Sequence, residues 1–329
     1  MRRRTVITTL LTFRCNLNCP YCDVSGGLAP KDGFYVKNWP EMDGKYWVEM
    51  LEKMPPAIFH MTGGEPFLHK DFYYILENFP KKHLFFIASN LTMPIEKFLE
   101  VSPLEQLLSF SASLHPSDPN FSLREFVRKL DMLLDEGVNA YVNYVASPPQ
   151  LKFIHKFREV LENHNVVFNV DPFVSETYEY TPEEKRFVSK YVTRKREIGY
   201  NWNDEGVPKY CSAGQNYFLM LPNGDVYRCH SGFFHHERSR FYLGNFREGT
   251  FKQNRKPEPC RSACVSTCDK DSVFIWNMDG EIRSSPIYSS DIFLKIFHLL
   301  SNRKTLRRLW FKLPQKTLLN TWRAFSRYI

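Results

Sequence analysis

The decisive stretch is Cys15-Asn16-Leu17-Asn18-Cys19-Pro20-Tyr21-Cys22, a C-x3-C-x2-C run directly after the apolar, β-branched segment Thr5-Val6-Ile7-Thr8-Thr9-Leu10-Leu11-Thr12. That segment reads as a strand, so the cysteines occupy the loop at its end. Three thiolates in so short a loop suit zinc or an iron–sulfur cluster, and not magnesium or calcium, because sulfur is a soft ligand. Three is one short of the usual four. Zinc would draw a fourth ligand from elsewhere in the chain, whereas a cluster with one open iron would bind a substrate or cofactor there.

About forty residues on, after the strand-like Ala57-Ile58-Phe59-His60-Met61, comes Thr62-Gly63-Gly64-Glu65-Pro66. Paired glycines let the backbone approach a ligand closely, and an ionised Glu accepts from an ammonium. Taken together and in this order, the cysteine run with its aromatic Tyr21 before the last Cys, and the Gly-Gly-Glu-Pro segment, resemble the radical S-adenosylmethionine (SAM) enzymes. The resemblance implies a [4Fe–4S] cluster on Cys15, Cys19 and Cys22 as the catalytic centre. In that family the amino and carboxylate groups of SAM chelate the fourth iron, and Gly63, Gly64 and Glu65 would receive the SAM amino group.

The pattern continues as alternating strands and helices. Asp43 reads as the cap of an amphipathic helix to about Met54, with Trp47, Met50 and Leu51 at helical spacing. Strands at Leu84–Ala88, Leu107–Ser113, Ala140–Ala146 and Val166–Val170 alternate with helices at Phe72–Phe79, Ile95–Val101, Leu123–Glu136 (closed by Gly137) and Leu151–Asn163. About six β-α units mean parallel strands with helical crossovers, either an open sheet or a barrel. The resemblance implies a partial (β/α)6 TIM-like barrel with the cluster at its C-terminal mouth. Asn90, Ser111 and Ser113 fall at strand ends and resemble, with Tyr21, the positions that line SAM in relatives. Asn143 and Asp171 also end strands. Of His60, His115 and His230, His115 is the best candidate for the mouth, following Ser113-Leu114.

A charged helical stretch from Pro182 to Ile198 and a linker at Gly199–Pro208 precede a second unit. Tyr217–Leu221, a turn at Pro222-Asn223-Gly224 and Asp225–Cys229 read as a β-hairpin. Cys211 precedes it and Cys229 ends it. This arrangement, with Leu243-Gly244-Asn245-Phe246 after it, resembles the SPASM and twitch extensions of radical SAM enzymes, which hold auxiliary [4Fe–4S] clusters. A full SPASM domain supplies seven cysteines, whereas this unit has five, Cys211, Cys229, Cys260, Cys264 and Cys268. Five imply one auxiliary cluster with one thiol to spare. The expected organisation is a barrel over 1–205, an auxiliary-cluster domain over 206–290 and a basic helical tail over 291–329.

All eight cysteines fall in these two groups, and clustering without a believable signal peptide favours metal ligation in a reducing cytoplasm over disulfides. The opening Arg2-Arg3-Arg4 and its apolar run imitate a signal, but cleavage there would destroy the motif. With 43% hydrophobic residues the chain is globular. The net charge of +8 resides in Asp291–Ile329, which holds nine Lys or Arg against one Asp. The balanced remainder argues against nucleic acid. Leu318, Trp322, Phe325 and Ile329 share one helical face, the pattern of a basic amphipathic helix that either lies on a membrane, here peripherally at the inner face, or packs on the barrel or a partner subunit. The resemblance implies cleavage of SAM to a 5′-deoxyadenosyl radical that abstracts hydrogen, an electron donor such as flavodoxin or ferredoxin, and a peptide as the leading substrate. A lipid, sugar or membrane-linked small molecule is the second reading. A non-catalytic zinc protein with a nucleic-acid-binding tail is the rival from another class.

Overall fold

The structure, a computed structural model, describes residues 5–22, 24, 40–164, 166–173, 178–191, 205–234, 238–262 and 275–277. Cys264, Cys268, nearly all of the Gly26–Pro40 loop, the region 192–204 and the tail 291–329 lie outside the described residues.

Six strands alternate with helices as the periodicity implies: β1 Thr5–Leu10, α1 Gly44–Lys53, β2 Ala57–Thr62, α2 Phe72–Glu77, β3 Leu84–Ser89, α3 Glu96–Val101, β4 Leu107–Ser113, α4 Leu123–Asp135, β5 Ala140–Ala146, α5 Ile154–Asn163 and β6 Val167–Pro172. Local chemistry sets the ends. The Asp43 carboxylate accepts from the Tyr46 amide at 2.8 Å and starts α1. Gly137 takes φ +75°, and the Val138 amide reaches back to the Leu133 carbonyl at 2.9 Å, which closes α4. The start of the helix expected at Leu151 is instead 3-10 over Pro148–Phe153, with α5 proper beginning at Ile154. Two prolines there remove amide donors at the first turn.

β1 through β6 pair in sequence order, all parallel, so every strand ends at the same edge. Side chains alternate between the two faces. Ile7, Phe59, Phe85, Phe110 and Val142 meet the helices in the main core, where each fully buried side chain of this size contributes about 1.5–3 kcal/mol. Val6, Ile58, Leu84 and Leu108 form a separate cluster on the opposite face. The sheet is an open, partial barrel with β6 at one edge.

After α6, Pro182–Val188, come β7 Glu205–Cys211, β8 Tyr217–Met220, β9 Asp225–Tyr227, α7 His230–Phe234, β10 Tyr242–Asn245, β11 Glu258–Ser262 and β12 Ile275–Asn277. The hairpin β8–β9 turns through Gly224, φ +91°, and β8 lies parallel against β1. One nine-stranded sheet thus runs β10-β9-β8-β1-β2-β3-β4-β5-β6, and the small sheet β11-β7-β12 stands beside it. Glu205–Pro208, expected as linker, belong to β7. Pro208 has no N–H to give, and it sits between the pairs Lys209↔Cys260 and Glu205↔Ser262, where the register shifts.

Candidate active site at the C-terminal mouth of the sheet

The loop after β1 carries Cys15, Cys19 and Cys22, and the loops after β2, β3, β4 and β5 all touch it. From β2, the amide of Gly64 donates to the Thr12 carbonyl at 2.8 Å and that of Glu65 to the Arg14 carbonyl at 2.8 Å. The glycines are required by that approach. Gly63 has φ +145°, and a Cβ there would lie 2.3 Å from the Thr12 carbonyl oxygen; at Gly64 it would lie 2.2 Å from that of Arg14. What comes close to this backbone is therefore the cysteine loop itself.

Glu65 differs from the sequence expectation. Its side chain is fully buried and turned inward, with Oε1 accepting from Ser89 Oγ at 2.9 Å and from the Phe67 amide at 3.3 Å. Oε2 accepts from the Asn90 amide at 2.7 Å. Burial pushes the carboxyl up to about 7 against the pull of these donors. The group thus braces the end of β3 against the Gly-Gly-Glu-Pro segment, and its oxygens are committed within the protein.

From β3, Asn90 Nδ2 donates to Asn16 Oδ1 at 2.8 Å and lies 3.9 Å from Cys15 Sγ. Its Oδ1 accepts from Thr92, whose Oγ1 in turn accepts from Asn16 Nδ2 at 2.8 Å. Leu91, between them, takes φ +55°, a strained value for a residue with a side chain. Lys129 of α4 holds this turn, donating to the Leu91 and Thr92 carbonyls at 3.0 and 2.8 Å.

From β4, His115 Nδ1 stands 2.8 Å from the Tyr21 hydroxyl and 3.4 Å from Cys19 Sγ, and the two rings stack. Burial lowers His115 to about 4, only partly opposed by Asp118, so the imidazole is neutral. From β5, Gln150 Nε2 donates to the Tyr21 hydroxyl at 3.5 Å. Burial and the neighbouring Cys19 raise the Tyr21 phenol well above its ordinary value. His60 and His230 go elsewhere, the first stacked on Phe86 and the second tilted against Phe234.

Ser111 sits deeper, its Oγ accepting from Asn143 Nδ2 at 2.8 Å. Asn143 Oδ1 accepts from Asn169 Nδ2 at 2.7 Å, and Asn169 donates on to Asp171. Ser113, half-buried, pairs in register with Asn143. A polar row therefore crosses β4, β5 and β6 below the mouth. Asn16, Thr92, Gln150 and Lys129 escape a reading of the sequence. Asn16 alone had a signal, lying inside the cysteine run.

The thiols fit a multi-iron group. Burial first, then the charges of Cys22 and Cys15, push Cys19 up to about 12, so three thiolates here require a cationic partner. Among the described residues no three His, Cys, Asp or Glu side chains converge as ligands of one metal ion do.

The second cysteine group lies on the face of the sheet opposite the main core. Cys211 at the end of β7, Cys229 after β9 and Cys260 in β11 share a cluster with Val6, Ile58, Leu84 and Leu108. The Ala213 amide donates to Cys211 Sγ at 3.5 Å and the Gly232 amide to Cys229 Sγ at 3.2 Å. Burial first, then the charges of Cys229 and Cys260, raise Cys211 to about 12.

The chain is 27% identical over 150 residues to 7-carboxy-7-deazaguanine synthase of Methanothermobacter thermautotrophicus, covering 41% of this chain and 58% of that protein. It is 24% identical over 159 residues to a probable GTP 3′,8-cyclase of Pyrobaculum aerophilum, covering 45% and 49%. The chain thus spans about half the length of the curated relatives it matches. Among solved structures, native anSMEcpe with bound AdoMet superposes with a TM-score of 0.54 at 15% identity, covering 76% of this chain and 81% of that one. Streptococcus suis SuiB gives 0.52 at 16% identity, covering 74% and 64%. These structures share the fold. The radical SAM superfamily model matches residues 9–164 of this chain, the segment that carries both the cysteine run and Gly63-Gly64-Glu65-Pro66.

Proposed function

We propose that the chain is a radical SAM enzyme in which Cys15, Cys19 and Cys22 hold a [4Fe–4S] cluster and SAM binds its open iron. The observation that carries this reading is the docking of the Gly63-Gly64 backbone onto Thr12 and Arg14 at the strands' C-terminal edge, beside the three thiols. Barrel-type sheets place their chemistry at that edge. When bound, the cluster supplies the electron that cleaves SAM, and the resulting 5′-deoxyadenosyl group takes hydrogen from the substrate.

The chain's own residues bind and orient. Tyr21, Asn90, Ser111 and Ser113, with the Gly63-Gly64 backbone, are the proposed SAM contacts, and Glu65 serves them from behind by fixing Asn90. Cys211, Cys229 and Cys260, completed by Cys264 or Cys268, are the proposed ligands of one auxiliary [4Fe–4S] cluster. A flavodoxin or ferredoxin is the proposed electron donor. A peptide is the proposed substrate class; in support, anSMEcpe, which shares the fold at a TM-score of 0.51, has been seen with AdoMet and the Kp18Cys peptide.

Anaerobically reconstituted, reduced protein should convert SAM to 5′-deoxyadenosine and methionine. Replacing Cys15, Cys19 and Cys22 together by Ala should abolish it, and turnover surviving that change would sink the assignment.

A further inference from the structure

We propose that Arg228 presets the auxiliary thiol site and, through its buried positive charge, raises the reduction potential of the cluster held there. The inference rests on the reading of Cys211, Cys229 and Cys260 as cluster ligands.

Arg228 is 6% exposed, and its guanidinium reaches the chain beside each of the three cysteines. Nε donates to the Ala213 carbonyl at 2.9 Å. Nη2 donates to the Glu258 carbonyl at 2.9 Å and to that of Cys211 at 3.4 Å. Nη1 donates to Glu258 Oε2 at 3.2 Å and to the Pro259 carbonyl at 3.4 Å. Cys211 is thus flanked on one side, Cys260 follows the other pair of acceptors, and Cys229 is the next residue after Arg228 itself. Only a planar fork with five donors joins so many acceptors from one stem; an ammonium cannot. The glycine between the first two cysteines makes room for that stem. Gly214 has φ +89°, and a Cβ there would stand 3.0 Å from Arg228 Cγ.

The charge balance points the same way. A buried cation is costly unless compensated. Four of the acceptors are neutral carbonyls, and the single carboxylate, on Glu258, has a side chain 46% exposed, so it offsets the buried charge only in part. A cluster bound by four thiolates is anionic and becomes more so on reduction, and a fixed positive charge beside it favours the reduced form. Arg228 is therefore a positioning residue with an electrostatic consequence, set before iron arrives.

The test uses full-length protein carrying Cys15, Cys19 and Cys22 as Ala, so that only the auxiliary site can hold iron. Iron content and an EPR-monitored redox titration are compared with and without Arg228→Met and Arg228→Lys. Arg228→Met should make the cluster at least tenfold harder to reduce at a given potential, a midpoint about 59 mV lower for a one-electron couple. Arg228→Lys should keep most of the potential and lose iron, because it retains charge without the fork. No iron in the parent protein overturns the auxiliary-cluster reading and this inference with it. Full iron with an unmoved midpoint in Arg228→Met overturns the inference alone. Should both Arg228 variants lack iron, Glu258→Gln decides. Removing the one counter-charge should raise the midpoint, and an unmoved or lowered value overturns the proposal.

Discussion

The backbone N–H of Asn90 donates to Glu65 Oε2 at 2.7 Å, so the turn after β3 hangs from a carboxylate in the segment after β2. Both residues are buried, and both lie directly behind the cysteine loop. Support of the proposed SAM site therefore passes through a buried side chain bonded to Ser89, Phe67 and Asn90.

Glu65→Gln tests that support. The amide preserves shape, but its NH2 brings two hydrogens where the protonated carboxyl brings one, so one more of the surrounding donors loses its acceptor, which costs about 1–3 kcal/mol at pH 5. The pH dependence follows from burial. A carboxyl raised from 4.5 to about 7 in the fold contributes its stability below pH 4.5 and loses it as pH rises through about 7. Since Gln does not titrate, the wild-type advantage should shrink across that window. Urea unfolding of both proteins at pH 5 and pH 8 measures it, and a gap that widens with pH contradicts the assignment.

Gly64→Ala should undock the cysteine loop. The added methyl would overlap the Arg14 carbonyl at 2.2 Å and displace the adjoining Gly64 and Glu65 amide bonds. Overpacking of this kind costs about 1–3 kcal/mol. SAM cleavage should fall by more than tenfold, and iron per chain should fall toward the content of one cluster, because the auxiliary thiols are untouched. Unchanged deoxyadenosine formation would show that the loops tolerate separation.

The basic segment after Ser290 is proposed to bind anionic membrane surfaces reversibly, each Lys or Arg near the surface contributing about 1 kcal/mol. Full-length protein should float with anionic vesicles at low salt while a chain ending at Ser290 stays behind. Equal flotation of the two refutes it. Among the described residues no helix is long and apolar enough to cross a membrane.

The amino-acid sequence by itself determined the alternation of strands and helices, because side-chain period, Asp43 at a helix start and Gly137 at a helix end act within a few residues of themselves. It also marked the two cysteine groups, since thiols capable of ligation are recognised by type and spacing. Only the tertiary structure decided what those residues meet. Gly63 and Gly64 look like a cradle for a ligand alone, yet the backbone of Thr12 and Arg14 already lies against them. Glu65 looks like an open acceptor until Ser89 and Asn90 close over it. The hairpin reads as a separate unit, yet β8 lies on β1, about two hundred residues earlier in the chain. Arg228 and Lys129 carry no signal at all, for a lone basic residue reads as a solvated charge. Their partners are backbone carbonyls, which every residue type presents alike, so no pattern of side chains could have named them.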